Sequence, residues 1–193
     1  MGFDPGRHHR RSIRLKGYDY SQPGVYFVTI CTQNRECLFG EVVDGVMRLG
    51  VYGQIVAETW QWLAAQYSSY ITLDEWVVMP NHLHGIIVIR DSYDGIGDSN
   101  ITGLYDGSRR GGSRTAPTGI HKPLGRIIGA FKTVSTKRIN ELRGTPGMVI
   151  WQRNYYEHII RDEESLKRIR QYILDNPLHW YFDKENRKGF NII

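Results

Sequence analysis

The sequence is poor in cysteine, has no long apolar run and contains no internal repeat. Its two cysteines, Cys31 and Cys37, lie six residues apart. That is too few for a disulfide framework, and the spacing does not fit a zinc knuckle. Both read as ordinary thiols, with Cys31 a candidate for the core. No stretch approaches the ~20 apolar residues that a bilayer-spanning helix needs, so no membrane association is expected. The basic start, MGFDPGRHHRRSIRLKGYDY, has no apolar segment behind it. It does not read as a signal peptide, and a cytoplasmic location is expected.

Acidic residues are scarce in two places. From Gly107 to Arg143, nine basic residues face Glu141 alone, a local charge of +8 in a chain whose net charge is +5. The first sixteen residues carry Arg7, Arg10, Arg11, Arg14 and Lys16 against Asp4. Two such concentrations suit a polyanionic partner, most simply nucleic acid; a solvated face plus a loose arm is the plainer alternative. Otherwise the composition, 40% hydrophobic and 23% charged over 193 residues, is that of one ordinary globular domain.

The chain divides into recognisable elements. GVYFVTICTQN, from Gly24 to Asn34, is β-branched and aromatic and reads as a strand. LFGEVVDGVMRLG reads as a hairpin turning at Asp44-Gly45. From Val51 to Tyr67, Ile55, Thr59, Trp62, Leu63 and Gln66 recur at helical spacing. Strands are expected over Tyr70 to Pro80 and His82 to Arg90. Residues 91–122 are rich in Gly, Ser, Thr and Asp without a period, and read as a flexible insertion.

Pro123 to Arg143 reads as a helix opened by proline. Leu124, Ile127, Ile128, Phe131, Val134 and Ile139 form its apolar stripe, with Arg126, Lys132, Lys137 and Arg138 largely off it. MVIWQRNYYEHII, from Met148, is expected to hold a strand and then a turn, with Tyr155 and Tyr156 beyond the strand. Asp162 to Pro177 is a helix with acids at its start, as the helix dipole favours, ended by Asn176-Pro177. The order strand, helix, strand, strand, helix, strand matches a ferredoxin-like split βαβ pattern: an α+β fold with an antiparallel sheet and helices on one face. One further helix follows it. The organisation expected is a basic arm over 1–20, one domain over 21–180, and a tail over 181–193.

The stretch VVMPNHLHGIIVI joins the end of the second strand to the third, which opens on the two histidines. Residues i and i+2 of a strand face one side, so His82 and His84 are presented together while Leu83 faces away. Two imidazoles so placed can each offer a nitrogen to one divalent ion; two satisfied, partly buried histidines are the plainer reading. The last helix carries Tyr172 and Asn176 at i and i+4, on one face. An amide oxygen is a hard ligand suited to Mg²⁺ or Mn²⁺, and a tyrosine hydroxyl is a potential nucleophile. Each also has an ordinary role: Tyr172 as one of twelve tyrosines, Asn176 as a helix C-cap.

Together, MPNHLHGIIVI, VIWQRNYYEHIIRDEESLKRIRQYILDNP and RRSIRLKGYDYSQPGVYFVTICTQNR resemble the single-tyrosine HUH transposases, and within them the REP-associated tyrosine transposases. The resemblance runs from about Arg10 to Trp180, apart from the insertion. It implies a ferredoxin-like (RRM-like) palm with an added C-terminal catalytic helix. His82, His84 and Asn176 would hold Mg²⁺ or Mn²⁺, and Tyr172 would attack a phosphodiester of single-stranded or hairpin DNA. The implied products are a 5′-phosphotyrosine and a free 3′-OH. Tyr155 and Tyr156 are rival nucleophiles without a ligand one turn on. Arg10, Arg11, Arg14, Arg126, Lys132, Lys137 and Arg138 are the candidate DNA-backbone contacts, with Trp151 or Tyr155 as candidate base-stacking rings. The family implies a monomer or a homodimer.

Overall fold

The computed structural model describes residues 17–90 and 122–186. Residues 1–16 of the basic arm, nearly all of the insertion and residues 187–193 lie outside the described residues, and Arg10, Arg11 and Arg14 with them. The elements run β1 (Gly24–Cys31), β2 (Gly40–Val43), β3 (Val46–Leu49), α1 (Val51–Gln66), β4 (Ile71–Met79), β5 (His82–Ile89), α2 (Leu124–Arg143), β6 (Tyr156–Ile160) and α3 (Glu163–Asp175). The main sheet has four strands in the order β4-β5-β1-β6, with every neighbouring pair antiparallel. β1 and β4 are parallel with β5 between them, which is the split βαβ arrangement expected of the sequence. β2 and β3 form a separate hairpin. Its turn puts Asp44 and Gly45 at φ 52° and 73°, the pair of left-handed residues that a two-residue hairpin requires.

Alternation along the strands divides the core in two. One side of the sheet carries Tyr26, Val28, Ile30, Val78, Leu83, Ile87 and Ile89, covered by α1 and α2 through Val56, Trp60, Leu63, Ile127, Ile128 and Phe131. The other side carries Val25, Phe27, Ile86, Val88 and Ile160, covered, among the described apolar residues, by Leu166, Ile169 and Ile173 of α3. The third helix therefore packs on the face opposite the first two. Burying a Leu or Ile side chain contributes roughly 1.5–3 kcal/mol, so α3 is held by far less apolar contact than the α1–α2 layer.

Three local expectations are corrected. The inward stripe of α1 runs through Val56, Thr59, Trp60 and Leu63, with Trp62 only partly buried and Gln66 exposed. The ridge that meets α2 is thus centred on Trp60, whose ring lies edge-on to Phe131. The strand within Met148–Ile160 lies at its end, so Tyr156 opens β6 instead of following it. The preceding segment makes one isolated bridge, Thr32 to Trp151, and then departs from β1. Finally, residues 181–186, expected as part of a tail, fold back onto the domain. Trp180–Phe182 forms a 3-10 turn, and Asp183, Glu185 and Asn186 are buried.

Candidate active site

The histidine pair stands at the start of β5, in register with the end of β1: His84 opposite Thr29 and His82 opposite Cys31. Both rings point to the α3 side of the sheet and are buried, with centroids 4.4 Å apart. Each ring is fixed from behind. His82 Nδ1 donates to Asn81 Oδ1 at 2.8 Å, and His84 Nδ1 lies 2.8 Å from Thr29 Oγ1. These contacts turn the two Nε2 atoms into the site, as outer partners do around a metal ligand. Asn81 is itself tied down, its amide nitrogen donating to the carbonyls of Arg35 and Glu185.

Burial pushes the His82 pKa down to about 4, against the opposing pull of the Asp183 carboxylate and the Asn176 amide. Burial also holds His84 well below the ordinary histidine range, helped by the neighbouring His82 and Lys184. Both imidazoles are therefore neutral near pH 7, the form that binds a metal ion.

α3 brings the remaining parts. Its start is capped by Asp162, which accepts from the Ser165 amide at 2.7 Å, with Glu163 and Glu164 in the first turn. Its buried Leu166 and Ile173 face the sheet, and Tyr172 and Asn176 face the histidines. The Tyr172 hydroxyl lies 3.2 Å from His84 Nε2 of the same chain, and its ring meets Phe27 edge-on at 6.1 Å. The residue remains 43% exposed, so solvent reaches it. Burial and the Asp183 charge raise its pKa to about 12, opposed by the Asn176 amide.

Asn176 is helical at φ −57° and ψ −40°, and its side chain is buried. Its amide nitrogen donates to Asp183 Oδ2 at 3.1 Å, leaving Oδ1 buried without a hydrogen-bond partner among the described residues. His82 Nε2 is buried and unpartnered in the same sense. Unsatisfied buried polar atoms are costly, and two in one site mark a place for a ligand.

Asp183 completes the group. One ligand atom each from His82, His84 and Asp183 lie within 4.8 Å of one another, so the three could hold a metal ion. Two neutral imidazoles, a carboxylate and an amide oxygen are a fitting donor set for a divalent cation. Its position is fixed by the Asn176 bond and by the Glu185 amide donating to Asp183 Oδ1 at 2.7 Å. Trp180 leans over His82 at 5.9 Å, and Glu185 pairs with Arg35 and accepts from Cys31 Sγ. Sequence reasoning missed Asp183 because no ligand spacing points to it. The available signal was composition: HWYFD is too aromatic for a solvated tail.

The structure thus brings together His82, His84, Tyr172 and Asn176. It keeps the other candidates apart from them. Arg126, Lys132, Lys137 and Arg138 all stand on α2, on the far side of the sheet. Lys132 donates to the carbonyls of Gln152 and Asn154 at 2.8 and 3.0 Å, and burial lowers its pKa to about 8. Arg138 pairs with Glu58, and Lys137 lies near Glu141. Trp151 is buried, its indole N–H donating to Ser135 Oγ at 2.9 Å, so its ring belongs to the core. Tyr155 packs against the same core with Lys132 over its ring. Tyr156 is on the histidine side, but it meets Phe27 and Lys184.

No family model matches the chain. It belongs to the same family as an uncharacterized protein of Haemophilus influenzae (strain ATCC 51907 / DSM 11121 / KW20 / Rd), which is 38% identical over 182 residues, 94% of this chain and 96% of that protein. Among solved structures, it is similar to a REP-associated tyrosine transposase bound to a REP hairpin, with a TM-score of 0.52 at 17% identity, covering 89% of this chain and 76% of that one. The shared architecture is the four-stranded antiparallel sheet with its three helices.

Proposed function

We propose that this protein is a transposase-like enzyme that nicks and rejoins single-stranded DNA through a phosphotyrosine. The observation that carries the reading is the Tyr172 hydroxyl at 3.2 Å from His84 Nε2, beside the buried and unpartnered His82 Nε2 and Asn176 Oδ1. A tyrosine, two neutral imidazoles and a hard amide oxygen converge on one open spot. The fold shared with a transposase that is bound to a REP hairpin supports the same class of substrate, a DNA hairpin.

The phenolic oxygen of Tyr172 attacks the scissile phosphorus. A Tyr172 O–P bond forms as the P–O3′ bond breaks, the phenol proton leaves, and the 3′ oxygen takes up a proton to become a free 3′-OH. The DNA remains attached as a 5′-phosphotyrosine. Attack by a 3′-OH on that ester reverses the step and joins strands, with no external energy source. His82, His84, Asn176 and Asp183 would hold Mg²⁺ or Mn²⁺. Bound there, the ion would supply Lewis-acid polarisation of the phosphodiester and a fixed orientation. A phenol with a pKa near 12 is almost wholly protonated at neutral pH, so activation is required of the site. Phe27 and Thr29 hold His84 and Tyr172 in place while this happens. The basic residues of the arm and of α2 that remain exposed would bind the DNA backbone away from the chemistry.

The test uses labelled single-stranded hairpins from the DNA flanking the gene, with Mg²⁺ or Mn²⁺, resolved on a denaturing protein gel. A metal-dependent labelled band is expected, lost in Tyr172→Phe and kept in Tyr155→Phe and Tyr156→Phe. Cleavage without a covalent band would make water the nucleophile. Tight hairpin binding without cleavage would make the protein a DNA-binding module.

A further inference from the structure

We propose that Asp74 and Arg170 form a clamp that positions Tyr172, by fixing the roll of α3 against the sheet. The proposal rests on the phosphotyrosine reading for its kinetic consequence, but not for its structural one.

The pair begins with an irregularity in β4. Leu73 is in register with Ile87 and Trp76 with Gly85, so Asp74 and Glu75 together oppose Ile86 alone. This is a β-bulge, a device that re-aims side chains. It lies opposite the α3-facing Ile86, two residues from His84 on the same strand. Asp74 sends its carboxylate to α3 and takes a two-pronged grip on Arg170: Nε donates to Oδ1 at 2.8 Å and Nη2 to Oδ2 at 2.5 Å. The Asp74 side chain is only 9% exposed. Burial would raise its pKa, yet the Arg170 contacts and the Glu75 amide hold it below the ordinary carboxylate value. The paired, ionised form is the one the fold selects. A fork-to-carboxylate pair fixes direction as well as distance, which a lysine would not.

Arg170 and Tyr172 are two residues apart, so they leave the helix roughly 200° apart around its axis. The apolar seam of Leu166, Ile169 and Ile173 lies between them. Tyr172 therefore hangs on one flank of α3 over His84, while Arg170 is fastened on the other. The seam alone sets the roll loosely, since it is three residues on a smooth sheet. At the ~5–6 Å radius of a helix with its side chains, a roll of about 10° moves a side-chain tip by about 1 Å. A displacement of that size at a reacting atom can cost on the order of 100-fold in rate. The histidines are untouched by such a roll, because they stand on β5. Arg170 touches no substrate atom in this account; it is a positioning residue.

The test compares wild type with Arg170→Met, Arg170→Lys and Asp74→Asn. Two readouts are made: single-turnover formation of the labelled covalent band at saturating DNA, and the NMR NOE between the Tyr172 and Phe27 rings in the free protein. Expected are a rate reduced about 100-fold in Arg170→Met and at least tenfold in Arg170→Lys, with DNA affinity within about twofold of wild type, and a weakened NOE in every variant. A wild-type NOE with a wild-type rate in Arg170→Met would overturn the clamp. So would a loss of rate that appears only as weaker DNA binding. Should Arg170→Met unfold, Asp74→Asn decides by the same two readouts. Should wild type form no covalent band, the phosphotyrosine reading fails. The NOE then decides the clamp by itself: weakened in the variants supports it, unchanged refutes it.

Discussion

His84 Nε2 lies 3.2 Å from the Tyr172 hydroxyl, and with Nδ1 turned to Thr29 the same nitrogen is the one His84 has left to offer a metal ion. Its one lone pair serves one partner at a time. Metal and phenol would therefore compete for it. Tyr172→Phe removes the competitor. Its Mn²⁺ affinity, measured by calorimetry on DNA-free protein, is expected to rise two- to fivefold. An unchanged or weaker affinity would show that the hydroxyl does not contest the nitrogen.

Asn81 precedes the histidine pair and holds His82 Nδ1 at 2.8 Å. It fixes which nitrogen of His82 carries the proton, and so which one faces the site. Asn81→Ala is expected to lower metal affinity about 10- to 100-fold while all candidate ligands remain present, as loss of such outer contacts does elsewhere. Metal titration followed by the rise in melting temperature measures it. A shift equal to that of wild type at every concentration would remove Asn81 from the site.

The buried histidines make stability depend on pH. Their folded-state pKa values lie below the ordinary value of 6.5, with His82 at about 4. Between those values the unfolded chain binds more protons than the folded one, so stability is fully present above about pH 6.5 and falls as pH drops toward 4. For His82 the loss is roughly 3 kcal/mol at the lower end. Urea midpoints with chelator at pH 7.5 and 4.5 should show it, and His82→Asn should flatten that limb. A midpoint constant across the range in wild type would contradict the burial argument.

Gly85 sits between His84 and Ile86, where the strand passes directly beneath Trp60. A β-carbon there would run into the indole ring, which is fully buried in the α1–α2 layer. Gly85→Ala is expected to destabilise the fold by about 1–3 kcal/mol, the usual range for overpacking a tight core. Chemical denaturation would record it as a lower midpoint with an unchanged slope. Trp60→Phe in the same chain should recover part of the loss; no recovery would place the cost elsewhere.

Much of this protein is legible along the chain because its elements are written in local periods. Period-two alternation in β1 and β5 puts His82 and His84 on one face, and a 3.6-residue period puts Tyr172 and Asn176 on one side of α3. Order and spacing of the elements were enough to expect the ferredoxin-like sheet. Where local signals were mixed, the expectation slipped. Met148–Gln152 is as apolar as a strand, yet it makes a single bridge, and the pairing with β1 is taken by Tyr156–Ile160.

Local pattern along the chain accounts for the sheet, the three helices and the two pairs of candidate residues, because each depends on neighbours a few positions apart. Packing in three dimensions put α3 on the face opposite α1 and α2, so that the two pairs meet. It alone brought Asp183 back to the histidines, set Asn81 and Thr29 behind them, and joined Asp74 to Arg170 across 96 residues of chain. It also tied Lys132 to the carbonyls of Gln152 and Asn154 and placed Trp151 in the core. Contacts between positions far apart in the chain carry no periodic signature. They exist only because packing one apolar face excludes every other way of closing the fold.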